Sequence, residues 1–322
     1  MARIWIDVTG IRQANLLAAL ARSMKTKSEL LVTTSESRSE EIMQFASVQP
    51  LRVSSHDPDP LQSYADRVLR LSTRIEEFKP DILIGDLDPA AVRTAFGLGI
   101  PSWTIYANGH GKSTTDAQRM MSYPLCERIF ASSFFDERKL ILEGAPKDRL
   151  FSFRGFNECY LMSEKHASGP IRRILLRPNG HDSPNWLHDL GGSLLDGIDK
   201  ARLTILGAKD RAASTLQDLG GRVKLLDFTP YPPVLKQDLF VGWGRMLGES
   251  FVLGVPSVRI GQETHPDLSL AYSHQPAISE PSNIVSVLHG MLDEDAGPSP
   301  VDGLKSPVDL VISELRSQGI IK

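Results

Sequence analysis

Apolar positions along this chain switch repeatedly between two spacings. Short apolar runs of strand length occur at Ile4 to Val8, Leu30 to Thr33, Val48 to Val53, Ile82 to Gly85, Ser102 to Tyr106 and Arg128 to Ala131. Between them the spacing becomes helical. A helix from about Gln13 to Met24 puts Leu16, Leu17, Leu20 and Met24 on one face, and one from Leu61 to Phe78 does the same with Val68, Leu71, Ile75 and Phe78. Lys79-Pro80-Asp81 then stops that helix, because proline disfavours a helical residue before it and cannot continue the bonding. The pattern loosens near Phe151 to Asn157 and restarts after Ser168-Gly169-Pro170, with strands at Ile174 to Arg177, Leu203 to Leu206, Val223 to Leu226, Leu239 to Val241 and Ser257 to Ile260. Strand and helix in strict alternation predict an α/β fold: two Rossmann-like domains, 1–156 and 157–322, whose parallel sheets face across a cleft. Ligands of such sheets bind at the carboxyl ends of the strands.

Composition narrows the function classes. The 322 residues, 41% of them hydrophobic, can bury two cores of roughly 150 residues each. A net charge of −3 gives no electrostatic footprint for nucleic acid. The two cysteines, Cys126 and Cys159, lack metal-ligand spacing and fit a reducing compartment. The start, MARIWIDVTG, runs straight into a strand, and no stretch reaches the roughly eighteen apolar residues of a membrane span. The expectation is a cytoplasmic protein, with peripheral contact to the inner face of a membrane left open.

The most informative segment is DLFVGWGRMLGESFVLGVPSV, residues 238–258. An apolar strand enters Gly242-Trp243-Gly244, and a helix from about Arg245 to Leu253 stops at Gly254 with Pro256 beyond it. Free amides and the helix dipole at such an N-terminus attract phosphate. Glu249, one turn in, is placed to accept two ribose hydroxyls. The segment therefore reads as a nucleoside-diphosphate site built from Gly242, Gly244, Arg245, Met246 and Glu249; glycines serving only close packing are the plainer alternative. Two rival phosphate motifs fail. Gly242, Gly244 and Gly248 with Glu263 imitate a dinucleotide fingerprint, but only about seventy residues follow Gly248, too few for the strands such a fold requires. Gly109-His110-Gly111-Lys112-Ser113 imitates the end of a phosphate-binding loop, but Tyr106 stands where its first glycine belongs.

Other candidates sit at predicted strand ends. His110, in a polar glycine-flanked loop, can act as a general base near neutrality, or can be an ordinary loop histidine bonded to a carbonyl. Asp7, closing the first strand, is the rival base, or else binds amides of the next helix. Asp86 and Asp88 could pair as acid and base, although Pro89 makes Asp88 read as a helix cap. Arg177 and Arg245 can neutralise a diphosphate leaving group without a metal, or form surface ion pairs. Trp243 can stack on a nucleobase, close the cleft against the other domain or pack in the core. His181 with Asp182 and His265 with Asp267 lack ligand spacing on a helix face, so no metal site is expected.

The opening RIWIDVT, the segment FKPDILIGDLDPAAVRTAFGLGIPS, Asn108-Gly109-His110 with RMMSYPLCERIF after it, LRPNG, and GRMLGESFVLGVPS together resemble the DUF354 family, which is related to the non-hydrolysing UDP-N-acetylglucosamine 2-epimerases. The likeness spans nearly the whole chain. It implies a glycosyltransferase-B fold, a nucleotide sugar on the second domain with a UDP-sugar first in line, and a sugar, glycan or lipid acceptor on the first. It also implies that the C-terminal helix, about Val308 to Ser317, returns to the first domain. Where the family's second-domain loop reads Gly-Gly-Thr-Met, this chain has Trp243-Gly244-Arg245-Met246; where its first loop carries Asn-Pro and a His, this chain has Gly10-Ile11-Arg12-Gln13. The expected activity is a metal-independent glycosyltransferase, with a sugar-nucleotide 2-epimerase or a non-catalytic nucleotide-sugar-binding protein as alternatives.

Overall fold

Thirteen strands and ten α-helices are found among the residues that the computed structural model describes, which are 1–54, 59–106, 120–164, 169–179, 182–207, 214–261, 268–293 and 303–322. The chain divides into two units: Met1–Tyr160 with Lys305–Lys322, and Leu161–Leu304.

Unit 1 is built on a parallel sheet in the order β3-β2-β1-β4-β5-β6-β7. Its strands are β1 (Ala2–Val8), β2 (Ser28–Thr34), β3 (Leu51–Arg52), β4 (Ile82–Gly85), β5 (Ser102–Ile105), β6 (Arg128–Ser132) and β7 (Leu150–Phe153). Ile4, Trp5, Ile6 and Val8 are all fully buried, as expected of a strand covered on both faces. The crossovers are α1 (Ile11–Met24), α2 (Ser37–Phe45), α3 (Pro60–Phe78), α4 (Pro89–Gly97) and α5 (Glu137–Leu142). The stripe expected on α1 is buried as read, and on α3 Leu71 and Ile75 reach the core. α1 packs on α2, and α3 on α4. The loosened pattern near Phe151 hides the edge strand β7, of whose four residues only Phe153 is buried.

The C-terminal helix α10 (Pro307–Ser317) belongs to unit 1. Lys305 N–H bonds the Arg154 carbonyl at 2.8 Å, and Glu314 pairs with Arg128. The Arg128 guanidinium lies over Trp103 and Phe151, 5.0 and 4.6 Å from the ring centres, so the anchor combines charge with cation–π contact.

Unit 2 repeats the plan in six parallel strands, ordered β10-β9-β8-β11-β12-β13. These are β8 (Arg173–Arg177), β9 (Arg202–Leu206), β10 (Val223–Leu226), β11 (Leu239–Gly242), β12 (Ser257–Ile260) and β13 (Ala277–Ile278). Helices α6 (Pro184–Gly197), α7 (Met246–Leu253), α8 (Ser269–Ser273) and α9 (Ile284–Asp293) accompany them. One face of the sheet, through Ile174, Leu176, Val241, Val258 and Ile260, packs against Leu187, Leu190 and Leu194 of α6 and Ile284 and Leu288 of α9. The fully buried α7 contacts β11, β12 and α8. Among the described residues no helix is long and apolar enough to cross a membrane.

Candidate functional site

In both sheets the order reverses direction once, between β1 and β4 in unit 1 and between β8 and β11 in unit 2. Crossovers leaving two such neighbours go opposite ways, and right-handed connections put their helices on opposite faces, which opens a crevice at the strand carboxyl ends.

At the unit 2 reversal Arg177, the last residue of β8, lies opposite Gly242, the last of β11. A Cβ on Gly242 would come within 2.8 Å of the Arg177 carbonyl oxygen and of the Phe240 ring, so that glycine is demanded by strand packing. Gly244 has another reason. Its φ of 76° lies in the left-handed region, which turns the chain from β11 into α7. The first bonds of α7 run from Leu247 N–H to the Gly244 carbonyl at 3.1 Å and from Gly248 N–H to that of Arg245 at 2.9 Å. The amides of Gly244, Arg245 and Met246 therefore stand ahead of the helix's own bonding. Arg245 is the N-cap and makes no side-chain cap. Glu249 sits buried in the first turn. The helix ends at Gly254, φ 71°, with Val255 N–H reaching back to the Ser250 carbonyl at 2.9 Å.

Trp243 is fixed across the crevice. Its indole N–H donates to the Pro178 carbonyl at 2.7 Å, and the Arg177 guanidinium carbon lies 5.4 Å from its ring centre. Beyond β8, Asn179 N–H donates to Asp182 Oδ2 at 2.6 Å, so Asp182 closes a turn.

The unit 1 reversal carries the opposite charge. Asp7, near the end of β1, is 1% exposed and is gripped by Arg67 of α3, whose Nη2 lies 2.8 and 3.0 Å from the two carboxylate oxygens. Thr33 also donates to Asp7, and Trp5 donates to Thr33 at 2.8 Å. Arg67 reaches Asp88 Oδ1 at 3.3 Å and donates to the Val53 carbonyl. One guanidinium thus ties together the ends of β1 and β3 and the β4–α4 turn. Burial pushes the Asp7 carboxyl up to about 7; Arg67 pulls against it, while the negative charges of Asp88 and Asp86 act with burial. Burial also works against the Arg67 charge, but Asp7 and Asp88 outweigh it and hold the guanidinium above its ordinary value. Asp88 accepts from Ala91 N–H at 2.9 Å, the cap that Pro89 suggested, and Thr9 donates to Asp86 Oδ1 at 2.9 Å. Leu87, between the two aspartates, is held at φ 67°.

The structure thus gathers Arg177, Gly242, Gly244, Arg245, Met246 and Glu249 around one strand–turn–helix in unit 2. Asp7 stands in unit 1. His110 lies outside the described residues, as do Asn108, His181, Glu263, His265 and Asp267. Arg67 escaped the sequence reading. Its signal was its place inside the apolar stripe of α3, three residues after Tyr64 and four before Leu71, where an arginine needs a buried partner. Among the described residues no group of three His, Cys, Asp or Glu side chains could hold a metal ion.

Comparison with known proteins agrees with this architecture. The family described as "Protein of unknown function (DUF354)" matches residues 2–169, over half of the chain, and the chain belongs to it. The uncharacterized protein MJ0665 of Methanocaldococcus jannaschii is 24% identical over 280 residues, which are 79% of this chain and 80% of that one. Among solved structures, a UDP-GlcNAc 2-epimerase from the same archaeon has a TM-score of 0.71 at 13% identity, covering 98% of this chain and 99% of its own. The Neisseria meningitidis UDP-GlcNAc 2-epimerase bound to UDP-GlcNAc gives 0.67 at 16% identity, covering 98% and 100%. Anabaena Alr3699/HepE in complex with UDP and glucose gives 0.63 at 12%, covering 99% and 100%. At such identities the likeness is one of fold, the glycosyltransferase-B type.

Proposed function

We propose that this DUF354-family chain binds a nucleoside-diphosphate sugar, a UDP-sugar first among them, on unit 2 and transfers the sugar to a sugar, glycan or lipid acceptor held by unit 1. One observation carries the reading: three helix-leading amides at Gly244, Arg245 and Met246 stand beside Arg177 on the neighbouring strand, with Glu249 buried one turn further in. Amides and dipole would hold the diphosphate, and Glu249 would accept the ribose hydroxyls. As the bond from the anomeric carbon to the phosphate oxygen breaks, the departing diphosphate keeps the electron pair. Arg177 and Arg245 would meet that charge without a metal or further cofactor.

The acceptor hydroxyl must lose its proton. We assign that to His110 before Asp7, because Asp7 is buried and bound on both oxygens by Arg67. Epimerisation at the sugar's second carbon is the second reading, favoured by the UDP-GlcNAc 2-epimerases among the structures of like fold.

Incubation with a panel of UDP- and GDP-sugars, with and without cell extract, separates these outcomes. Transfer releases nucleoside diphosphate only when an acceptor is present; epimerisation converts the sugar without release. Binding with neither would leave a nucleotide-sugar-binding protein, and no binding at all would remove the proposal. In a transferase His110→Ala is expected to lower turnover by about 10²- to 10⁴-fold with donor affinity nearly unchanged.

A further inference from the structure

Trp243 occupies the turn between β11 and α7 and is only partly buried there. The apolar cluster of unit 2 takes Trp186 at its edge but not Trp243. Trp243 is half-buried at the β8/β11 reversal, with its N–H committed to the Pro178 carbonyl and Arg177 against its ring. Among the described residues no other ring or cation packs on the indole. The side chain is therefore a fixed plate with an orientation set by two neighbouring strands.

Resting on the nucleotide-sugar reading above, the chemical order of the ligand decides what meets that plate. A nucleoside-diphosphate sugar runs base, ribose, two phosphates, sugar. With ribose at Glu249 and phosphates ahead of Met246, about 4.5 Å separates the two along the helix axis. The remaining end of the ligand then leaves on the strand side, toward Trp243 and Arg177. We infer that Trp243 is the platform for the sugar ring of the bound nucleotide sugar, and that it discriminates hexopyranoses by their C–H face. An aromatic face buries the apolar patch of C–H bonds on one side of a pyranose, and an axial hydroxyl pointing into that side would be desolvated without a partner. Arg177, stacked beside the same ring, would lie next to the phosphate that carries the sugar.

Calorimetry with UDP and with UDP-glucose tests this on the full chain. Trp243→Ala is expected to weaken UDP-glucose about tenfold while UDP stays within about twofold, with Trp243→Phe in between. Because Trp5 and Trp103 are buried in unit 1 and Trp186 edges the unit 2 core, the Trp243 emission is isolated as the difference between wild type and Trp243→Phe. UDP-glucose should change that difference spectrum more than UDP does. Equal loss of both ligands in Trp243→Ala and Trp243→Phe would put the indole on the nucleotide and overturn the inference, as would no loss of either in a variant with wild-type melting. If the wild type bound neither ligand, the fault would lie in the nucleotide-sugar reading itself.

Discussion

The turn after β4 and the turn after β11 correspond position by position as far as the cap. Gly85 lies opposite Asp7 and Gly242 opposite Arg177; a Cβ would come within 3.1 Å and 2.8 Å of the respective carbonyl oxygens. Asp86 then corresponds to Trp243, and Leu87 at φ 67° to Gly244 at φ 76°. Asp88 corresponds to Arg245, each the N-cap of the next helix. Both turns share the strand-end glycine and a positive φ two residues on; the caps differ, Asp88 being extended at ψ 124° and Arg245 helical at ψ −21°. In unit 1 the Asp88 carboxylate sits on the α4 terminus and takes Ala91 N–H, so the dipole is already satisfied by a negative charge. In unit 2 Arg245 stands at the cap and makes no side-chain cap bond, and the acid of the first turn is Glu249. The strand-end glycines serve strand packing in both units, and on the proposed reading it is the residue three positions later that would set which terminus accepts phosphate.

The largest expected effect lies in unit 1. Arg67→Met leaves the Asp7 carboxyl buried without its cation, and about 3–5 kcal/mol of stability should be lost. Chemical denaturation measures it, and a loss under about 1 kcal/mol would mean that the guanidinium is replaceable by water.

Next comes an exchange of caps. Arg245→Asp gives α7 the terminus of α4, and UDP affinity should fall at least tenfold as the new carboxylate takes the amides and repels phosphate. Titration of a variant that melts like wild type would decide it. Unchanged affinity would sever the link between cap charge and ligand.

A smaller effect concerns pH. Because the folded value of Asp7, about 7, stands above its ordinary 3.8, its contribution to stability is fully present below pH 3.8 and is lost as pH rises through 7. Wild type should lose more stability between pH 5 and pH 8 than Asp7→Asn does. Parallel curves for the two proteins would show that Arg67 keeps Asp7 ionised throughout.

Much of this was legible in the sequence, and the gaps have physical causes. The central strands are nearly unbroken apolar runs, so the pattern predicts Ile82–Gly85 and Ser257–Ile260 with the bounds they have in the structure. Edge strands β7 and β13 are short or half-exposed and lack that run. The segment at Gly242 reads as strand, turn and helix, and the structure has that order. What the sequence could not give is that Leu87 adopts the conformation of Gly244, because a leucine does not announce a positive φ. Without that equivalence the two turns look unrelated; and for Asp7 the sequence offers a base or an amide-binding group, whereas the structure pairs it with Arg67.

Hydrogen exchange with and without UDP tests the central claim most directly, because it reports each turn separately. The account predicts slowed exchange at residues 243–249, where amides ahead of and within the first turn of α7 would meet the ligand, and no change at 86–92. In Glu249→Ala the same protection should require roughly ten- to hundredfold more UDP, reflecting about 1.5–3 kcal/mol of lost hydrogen bonding. Protection confined to the β4–α4 turn, or none at residues 243–249 under saturating UDP, would contradict it.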